Sequence, residues 1–213
     1  MLISYEQEKN RRQVPKTAEY LKLKNYCDYV YCYLQVNSLF DEEGGFRYIL
    51  KKDCKYTMVA RDLNMTRQTA SDKIKKLIQL GLVKEEDHRY ILVNLDKTLA
   101  ELVPYTTLRI LTSTVKDKVI SVFVYFLVRF RAEHQKPFIF TMKQVKTVVG
   151  IGESRSTDYI VTDILTVLSK LGLIKYEKLI DNSEEGTFKT YYKILDMSNK
   201  IENVETELKA ASL

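Results

Sequence analysis

Between Thr66 and Lys76 the chain carries Thr66, Arg67, Gln68, Thr69, Ser71, Lys75 and Lys76, a run of side chains suited to hydrogen bonding along a nucleic-acid groove. A guanidinium presents a fork of N–H donors that matches O6 and N7 of guanine, and a carboxamide pairs in the same manner with adenine. Hydroxyl and ammonium groups hold phosphate oxygens, which fixes position on a duplex without reading its sequence. Over Thr66–Leu80, four cations (Arg67, Lys73, Lys75 and Lys76) face one carboxylate, Asp72, leaving a net +3. A solvated helix face can carry the same charges. The placement of Thr66-Arg67-Gln68 at the first turn of a helix favours contact with DNA.

That helix is legible from its apolar spacing. Ala70, Ile74, Leu77 and Leu80 fall on one face, Thr66 is placed to cap the N-terminus, and Gly81 to end the C-terminus. An alternating strand Leu82–Glu85, a polar turn Glu86-Asp87-His88 and a second strand Arg89–Val93 follow, with Arg89 at the hairpin tip, where it could enter a minor groove.

The same pattern occurs twice. Residues 69–86, TASDKIKKLIQLGLVKEE, align without a gap on residues 160–177, IVTDILTVLSKLGLIKYE. Leu80-Gly81-Leu82 meets Leu171-Gly172-Leu173, and Asp72 meets Asp163. Two copies of one small module are expected. Each begins with a core helix, Asn25–Ser38 or Asp117–His134, whose aromatic residues read as packing. A short strand-like piece is expected at Lys55-Tyr56 and at Phe138-Ile139-Phe140. Thr57 and Thr141 are the expected caps of a second helix, with Gln144 completing a capping box on Thr141. Asn64 and Gly150 are placed to end those second helices. The second hairpin is read as Leu173–Leu179, a turn Asp181–Gly186 and Thr187–Leu195.

Helix, strand, helix, turn, helix and hairpin is the order of a winged helix-turn-helix. The segment TRQTASDKIKKLIQLGLVKEE resembles the recognition helix and first wing strand of winged-helix DNA-binding proteins, as in many bacterial transcription regulators. The two-module layout also resembles plasmid and phage replication initiators, with VPYTTLRIL ahead of DKVISVFVYFLVRF similar to their inter-unit region. The resemblance implies an α+β fold, mainly α, made of two tandem winged helix-turn-helix domains with short β-hairpin wings. The expected organisation is a basic N-terminal arm over 1–22, a first domain over 23–97, a helical connector over 98–116, a second domain over 117–197 and a tail over 198–213.

The second copy differs in charge. Its stretch Thr157–Leu171 has Lys170 against Asp158 and Asp163, a net −1, and Asp158, Tyr159 and Val167 replace Arg67, Gln68 and Lys76. Arg155 and Ser156 in the preceding turn, Tyr159, and Lys143 and Lys146 on the second helix remain candidates for DNA contact. A second half-site reader and a protein-contact unit are both open for this copy. Lys189 and Lys193 on its return strand are further candidates for phosphate, as are Lys9, Arg11, Arg12 and Lys16 in the arm, where Pro15 discourages a helix. Ile201, Val204 and Leu208 in the tail suggest a short amphipathic helix docking on the body or on a second subunit.

Catalytic and metal chemistry finds little support. The two histidines, His88 and His134, stand far apart beside charged residues, and no HExxH or Cys/His metal spacing occurs. Gly150-Ile151-Gly152-Glu153-Ser154 lacks the downstream glycine and the Lys-Ser/Thr of a phosphate cradle, and no GxSxG elbow is present. No cofactor is therefore expected. The chain of 213 residues is 45% hydrophobic and 29% charged, which excludes wholesale disorder, and its net +6 admits an acidic partner. Seven glycines and three prolines disfavour turn-rich all-β folds. Three cysteines without a CxxC pair, and an early charge in place of a signal peptide, suggest a reduced, cytoplasmic setting. The longest apolar run, Val119–Val128, is too short for a membrane span, which needs about 20 residues.

The expected function is thus non-enzymatic binding of double-stranded DNA, as a transcription regulator. A replication initiator binding origin repeats and a protein–protein scaffold are the alternatives. Self-association through the second module or the tail is the further partner considered.

Overall fold

A computed structural model describes residues 10–15, 28–95, 100–113, 118–152, 154, 157–184, 187–198 and 200–201. The chain is mixed α and β, more helical than stranded, with small antiparallel sheets. It divides into two compact units, Met1–Ile120 and Ser121–Leu213.

In the first unit, β1 (Arg11–Pro15) precedes α1 (Asp28–Asn37), and a hairpin of β2 (Leu39–Asp41) and β3 (Phe46–Leu50) follows. After a 3-10 turn, Lys51–Asp53, come α2 (Tyr56–Asp62), α3 (Arg67–Gln79), β4 (Val83–Glu85) and β5 (Arg89–Leu92). The unit closes with β6 (Ala100–Pro104) and α4 (Tyr105–Ser113). One sheet runs β2-β3-β5-β4, so β3, the strand before the helices, lies between β2 and β5; β1 and β6 make a separate antiparallel ribbon. Tyr31, Leu34, Ile49, Val59, Ile74, Leu77, Leu82 and Leu92 fill the core.

The second unit repeats the central order with α5 (Val119–Ala132), β7 (Phe138–Phe140), α6 (Met142–Val149), α7 (Asp158–Lys170), β8 (Ile174–Glu184) and β9 (Thr187–Met197). Its sheet runs β7-β9-β8, equivalent to β3-β5-β4. An aromatic cluster holds helix to sheet here. Phe126 lies 4.8 Å from Phe140, which stacks on Tyr192 at 5.6 Å.

The repeat is visible as geometry. A constant offset of 91 residues carries both ends of α3 onto α7 and Val83 onto Ile174. The buried positions Ala70, Ile74 and Leu77 become Val161, Leu165 and Leu168. Both helices end in one motif. Gly81 and Gly172 take φ +69 and +67, Leu82 and Leu173 bond back to Leu77 and Leu168, and the glycine amides bond to Ile78 and Ser169. This paired 6→1 and 5→2 closure satisfies carbonyls a helix end leaves orphaned, and its left-handed position favours glycine.

Several expectations are corrected. Lys55-Tyr56 is not a strand: Lys55 is the extended residue before α2, and Tyr56 opens that helix without waiting for Thr57. The strand is β3, nine residues earlier, reached through Asp41–Gly45, where the Asp41 carboxylate accepts from the Gly44 amide at 2.8 Å and Gly45 takes φ +65. The segment read as a helical connector opens with a strand before its helix. Its Ala100–Pro104 pairs with Arg11–Pro15 of the arm, so arm and connector both belong to the first unit. The second hairpin is long rather than short, because β8 and β9 run 11 residues each, through much of the expected turn. The amphipathic tail beyond Ile201, together with Lys9 and Lys16, lies outside the described residues.

Candidate nucleic-acid interface

The first turn of α3 is built by its cap. Asn64 at φ +49 ends the turn after α2, and the Met65 amide bonds to the Ala60 carbonyl at 2.9 Å. Thr66 is extended, and its hydroxyl oxygen accepts from the Thr69 amide at 3.1 Å, so an otherwise orphaned donor is satisfied. The two threonine hydroxyls are also 2.8 Å apart, which leaves Thr69 half-buried and engaged with its own cap. Arg67, Gln68 and Lys75 are exposed, and Lys76 is half-buried. Gln68 donates to the Asp72 carboxylate at 2.9 Å, one turn on. That bond occupies one amide hydrogen and holds the carboxamide along the helix face, with its oxygen left to accept.

The two helices that pack against α3 are tied to each other. Tyr33 on α1 donates to Asp62 at the end of α2 at 2.8 Å. Burial first, and that carboxylate second, push the Tyr33 phenol well above its ordinary value. Desolvation works against ionisation of Asp62, but the Tyr33 bond and Arg61 together outweigh it and hold the carboxyl below its usual range.

Ser71 is corrected. It is 8% exposed and belongs to the packed side of α3. It sits three residues before Ile74, about 60° away on the helix circumference, at the flank of the apolar stripe rather than opposite it.

Arg89 is corrected as well. It does not project from the hairpin tip. Its guanidinium binds Glu86 at 2.9 Å and Asp41 at 3.6 Å and lies over the rings of Phe46 and Tyr48 at 5.2 and 5.4 Å. Arg89, with a smaller contribution from Lys84, holds the Glu86 carboxyl below its ordinary value. Glu86 belongs to the hairpin of Arg89 itself, while Asp41, Phe46 and Tyr48 come from the β2–β3 hairpin, for which the Gly44-Gly45 pair between two strand-like runs was the signal.

In the arm, Arg11 is exposed, but Arg12 is buried. Arg12 Nε donates to the Gln35 carbonyl at 2.9 Å, and its guanidinium lies 4.7 Å from the Tyr105 ring centre. Burial, then repulsion from Arg47, lowers its pKa to about 10. Arg12 is a structural residue.

The second copy makes its helix start differently. Thr157, equivalent to Thr66, has helical dihedrals and gives no side-chain cap to α7; its hydroxyl donates instead to the carbonyls of Gly152 and Ser154 at 2.5 and 2.7 Å. Lys146 is 4% exposed, ion-paired with Asp158 and donating to the Ser154 carbonyl at 2.8 Å. It therefore does not flank a groove, and Asp158 does not face solvent with an uncompensated charge. A carboxylate at the first residue of α7 also suits the positive end of the helix. Lys143 is exposed on α6, and Tyr159 is 65% exposed on the first turn of α7. Lys193 pairs with Glu177 at 3.5 Å. Arg155 and Ser156 lie outside the described residues, as does the side chain of Lys189.

The structure thus leaves Thr66, Arg67, Gln68 and Lys75 exposed along α3 and its cap, with Thr69 and Lys76 half-buried, and withdraws Ser71, Arg89 and Lys146. Among the described residues no group of three or more His, Cys, Asp or Glu side chains is placed to hold a metal, and no helix is long and apolar enough to cross a membrane. In comparisons with known proteins, no family model, curated protein or solved structure matches the chain.

Proposed function

We propose that the chain is a non-enzymatic, double-stranded-DNA-binding protein of two winged helix-turn-helix units that acts as a transcription regulator by occupying an operator. The observation that carries this reading is the first turn of α3. It is capped by Thr66, in a helix that packs against α1 and α2, and presents Arg67, Gln68 and Lys75 to solvent on a helix of net +3. The element order and the β3-β5-β4 and β7-β9-β8 sheets support two copies of the winged arrangement. In such a unit the third helix enters the major groove with its N-terminal residues toward base edges.

Arg67 and Gln68 read bases, while Lys75 holds a phosphate. In the second unit the Lys146–Asp158 pair and the net −1 of α7 favour contact with protein over a second reading head.

The test is duplex binding by the full chain over a salt series, after selection of sites from a random pool. Affinity is expected to fall steeply with salt, and Lys75→Ala to reduce the slope of log K against log salt by about 0.9, one phosphate contact. Arg67→Ala with Gln68→Ala is expected to abolish site preference. Absence of binding at low salt would sink the reading and leave the protein scaffold.

A further inference from the structure

The first unit contains a cavity of about 190 Å³ that the DNA reading does not use. It lies where the β1–β6 ribbon, α1 and the β2-β3-β5 face converge, and Arg11, Gln13, Gln35, Arg47, Leu92 and Asn94 are among its lining residues. The chain's alternation explains the lining. Along β1, Arg12 and Val14 turn to the core, so Arg11 and Gln13 share the other face. Across the sheet, Phe40, Arg47 and Leu92 stand in register on three neighbouring strands, which sets a cation in the middle of an otherwise apolar row. Arg47 is 9% exposed, and its guanidinium lies 5.2 Å from the Phe40 ring centre.

Gln35 gives the second, independent observation. It is 2% exposed; its amide nitrogen donates to the Tyr31 hydroxyl at 2.9 Å, while its Oε1 is the one buried side-chain polar atom without a hydrogen-bond partner among the described residues. Leaving such an acceptor unmet in a folded interior forfeits the hydrogen bonds it makes to water in the unfolded chain. Two guanidinium groups and one unmet acceptor in a small cavity define complementary chemistry. From these we infer that the cavity is a binding site for a small anion, a phosphate ester or carboxylate, that carries a neighbouring hydroxyl or amine. The anionic oxygens accept from Arg11 and Arg47, and the hydroxyl or amine donates to Gln35 Oε1. The volume, equal to about six waters at ~30 Å³ each, limits the ligand to a small metabolite. The lowered pKa of Arg12, to which Arg47 contributes, agrees with a positive local field. The site stands whether or not the chain binds DNA.

The experiment uses the full chain, with amide NMR and thermal unfolding, and three probes. sn-Glycerol 3-phosphate has charge and donor, propyl phosphate has charge alone, and glycerol has donors alone. Glycerol phosphate is expected to raise the unfolding midpoint with concentration and to move the Gln35 side-chain amide and the Gly45 and Asn94 amides. Propyl phosphate should bind about two- to tenfold more weakly, the worth of one neutral hydrogen bond, and glycerol should move nothing. Arg11→Gln, on the exposed rim, should weaken glycerol phosphate about three- to tenfold, with Arg61→Gln on α2 as an unaffected control. Equal binding of the two phosphates, equal weakening by both arginine changes, or no movement of those signals with any probe would overturn the inference. So would movement caused by a DNA duplex and by none of the three probes.

Discussion

The helices α3 and α7 have the same length, three buried positions in common and the same glycine closure, yet their first turns are opposites. In α3 the first residue is Arg67, exposed, behind a threonine that caps the helix. In α7 the first residue is Asp158, tied to a buried lysine, behind a threonine that braces the preceding turn. The carboxyl-terminal halves are set by burial and cannot diverge far, whereas the amino-terminal turns face outward and are open to different uses. What separates a candidate reading head from a sealed helix end is a handful of surface residues on a shared frame.

The largest effect expected from breaking this contrast falls on sequence discrimination. Arg67→Ala with Gln68→Ala should cost about 2–6 kcal/mol in preference for the selected site, at about 1–3 for each lost base contact. Tyr159→Ala in the second copy should leave that preference unchanged; competition binding measures both. Next is Lys146→Ala, which removes a buried cation from a half-exposed partner. It should destabilise the second unit by about 2–4 kcal/mol in denaturant titration, with the first unit's transition unmoved. Thr66→Ala should cost the first unit about 1 kcal/mol by the same titration, the usual worth of a lost cap.

The smallest effect at neutral pH concerns Cys54. Burial pushes its thiol up to about 12 from 9.0. A folded-state pKa above the unfolded one stabilises the fold fully below about pH 9, and that contribution is lost as pH rises toward 12. The Tyr33 and Tyr90 phenols, also raised by burial, act in the same direction. Arg12, lowered to about 10, acts in the opposite one, its burial penalty relaxing above pH 10. Cys54→Ala should therefore leave neutral stability within about 1 kcal/mol and flatten the alkaline loss of the first unit; melting midpoints across pH 8–11 measure it.

How much of this was legible depended on whether the signal was local. The start of α3, the Thr141–Gln144 capping box and the glycine closures are decided within five or six residues, and the structure has them where the spacing puts them. The partners of Arg12, Lys146 and Arg89 are set by tertiary approach, so their charges read as available when they are not. Ser71 lies about 60° from Ile74 on the helical wheel, so its place at the flank of the apolar stripe was legible, whereas its burial to 8% exposure depends on tertiary packing. The β2–β3 hairpin was readable in Gly44-Gly45 but was displaced by the weaker Lys55-Tyr56. Of the candidate site, the exposed core of Arg67, Gln68 and Lys75 was in the sequence; the cavity bounded by Arg11, Gln35 and Arg47 was not, because its walls come from residues 11 to 102.

The pairing of Arg11–Pro15 with Ala100–Pro104 bears on how the chain is made. As the first unit leaves the ribosome, its α1, α2 and α3 helices emerge and meet well before β6 exists to accept β1. Until then Arg12 and Val14 have no ribbon to close over them, and the first strand is an unpaired edge able to seek other chains. Completion of the unit waits for a loop closure spanning almost all of its length, a slow kind of contact. A fragment of residues 23–97 would carry α3 yet lack β1 and β6, the two strands of the ribbon that packs on α1 and α4.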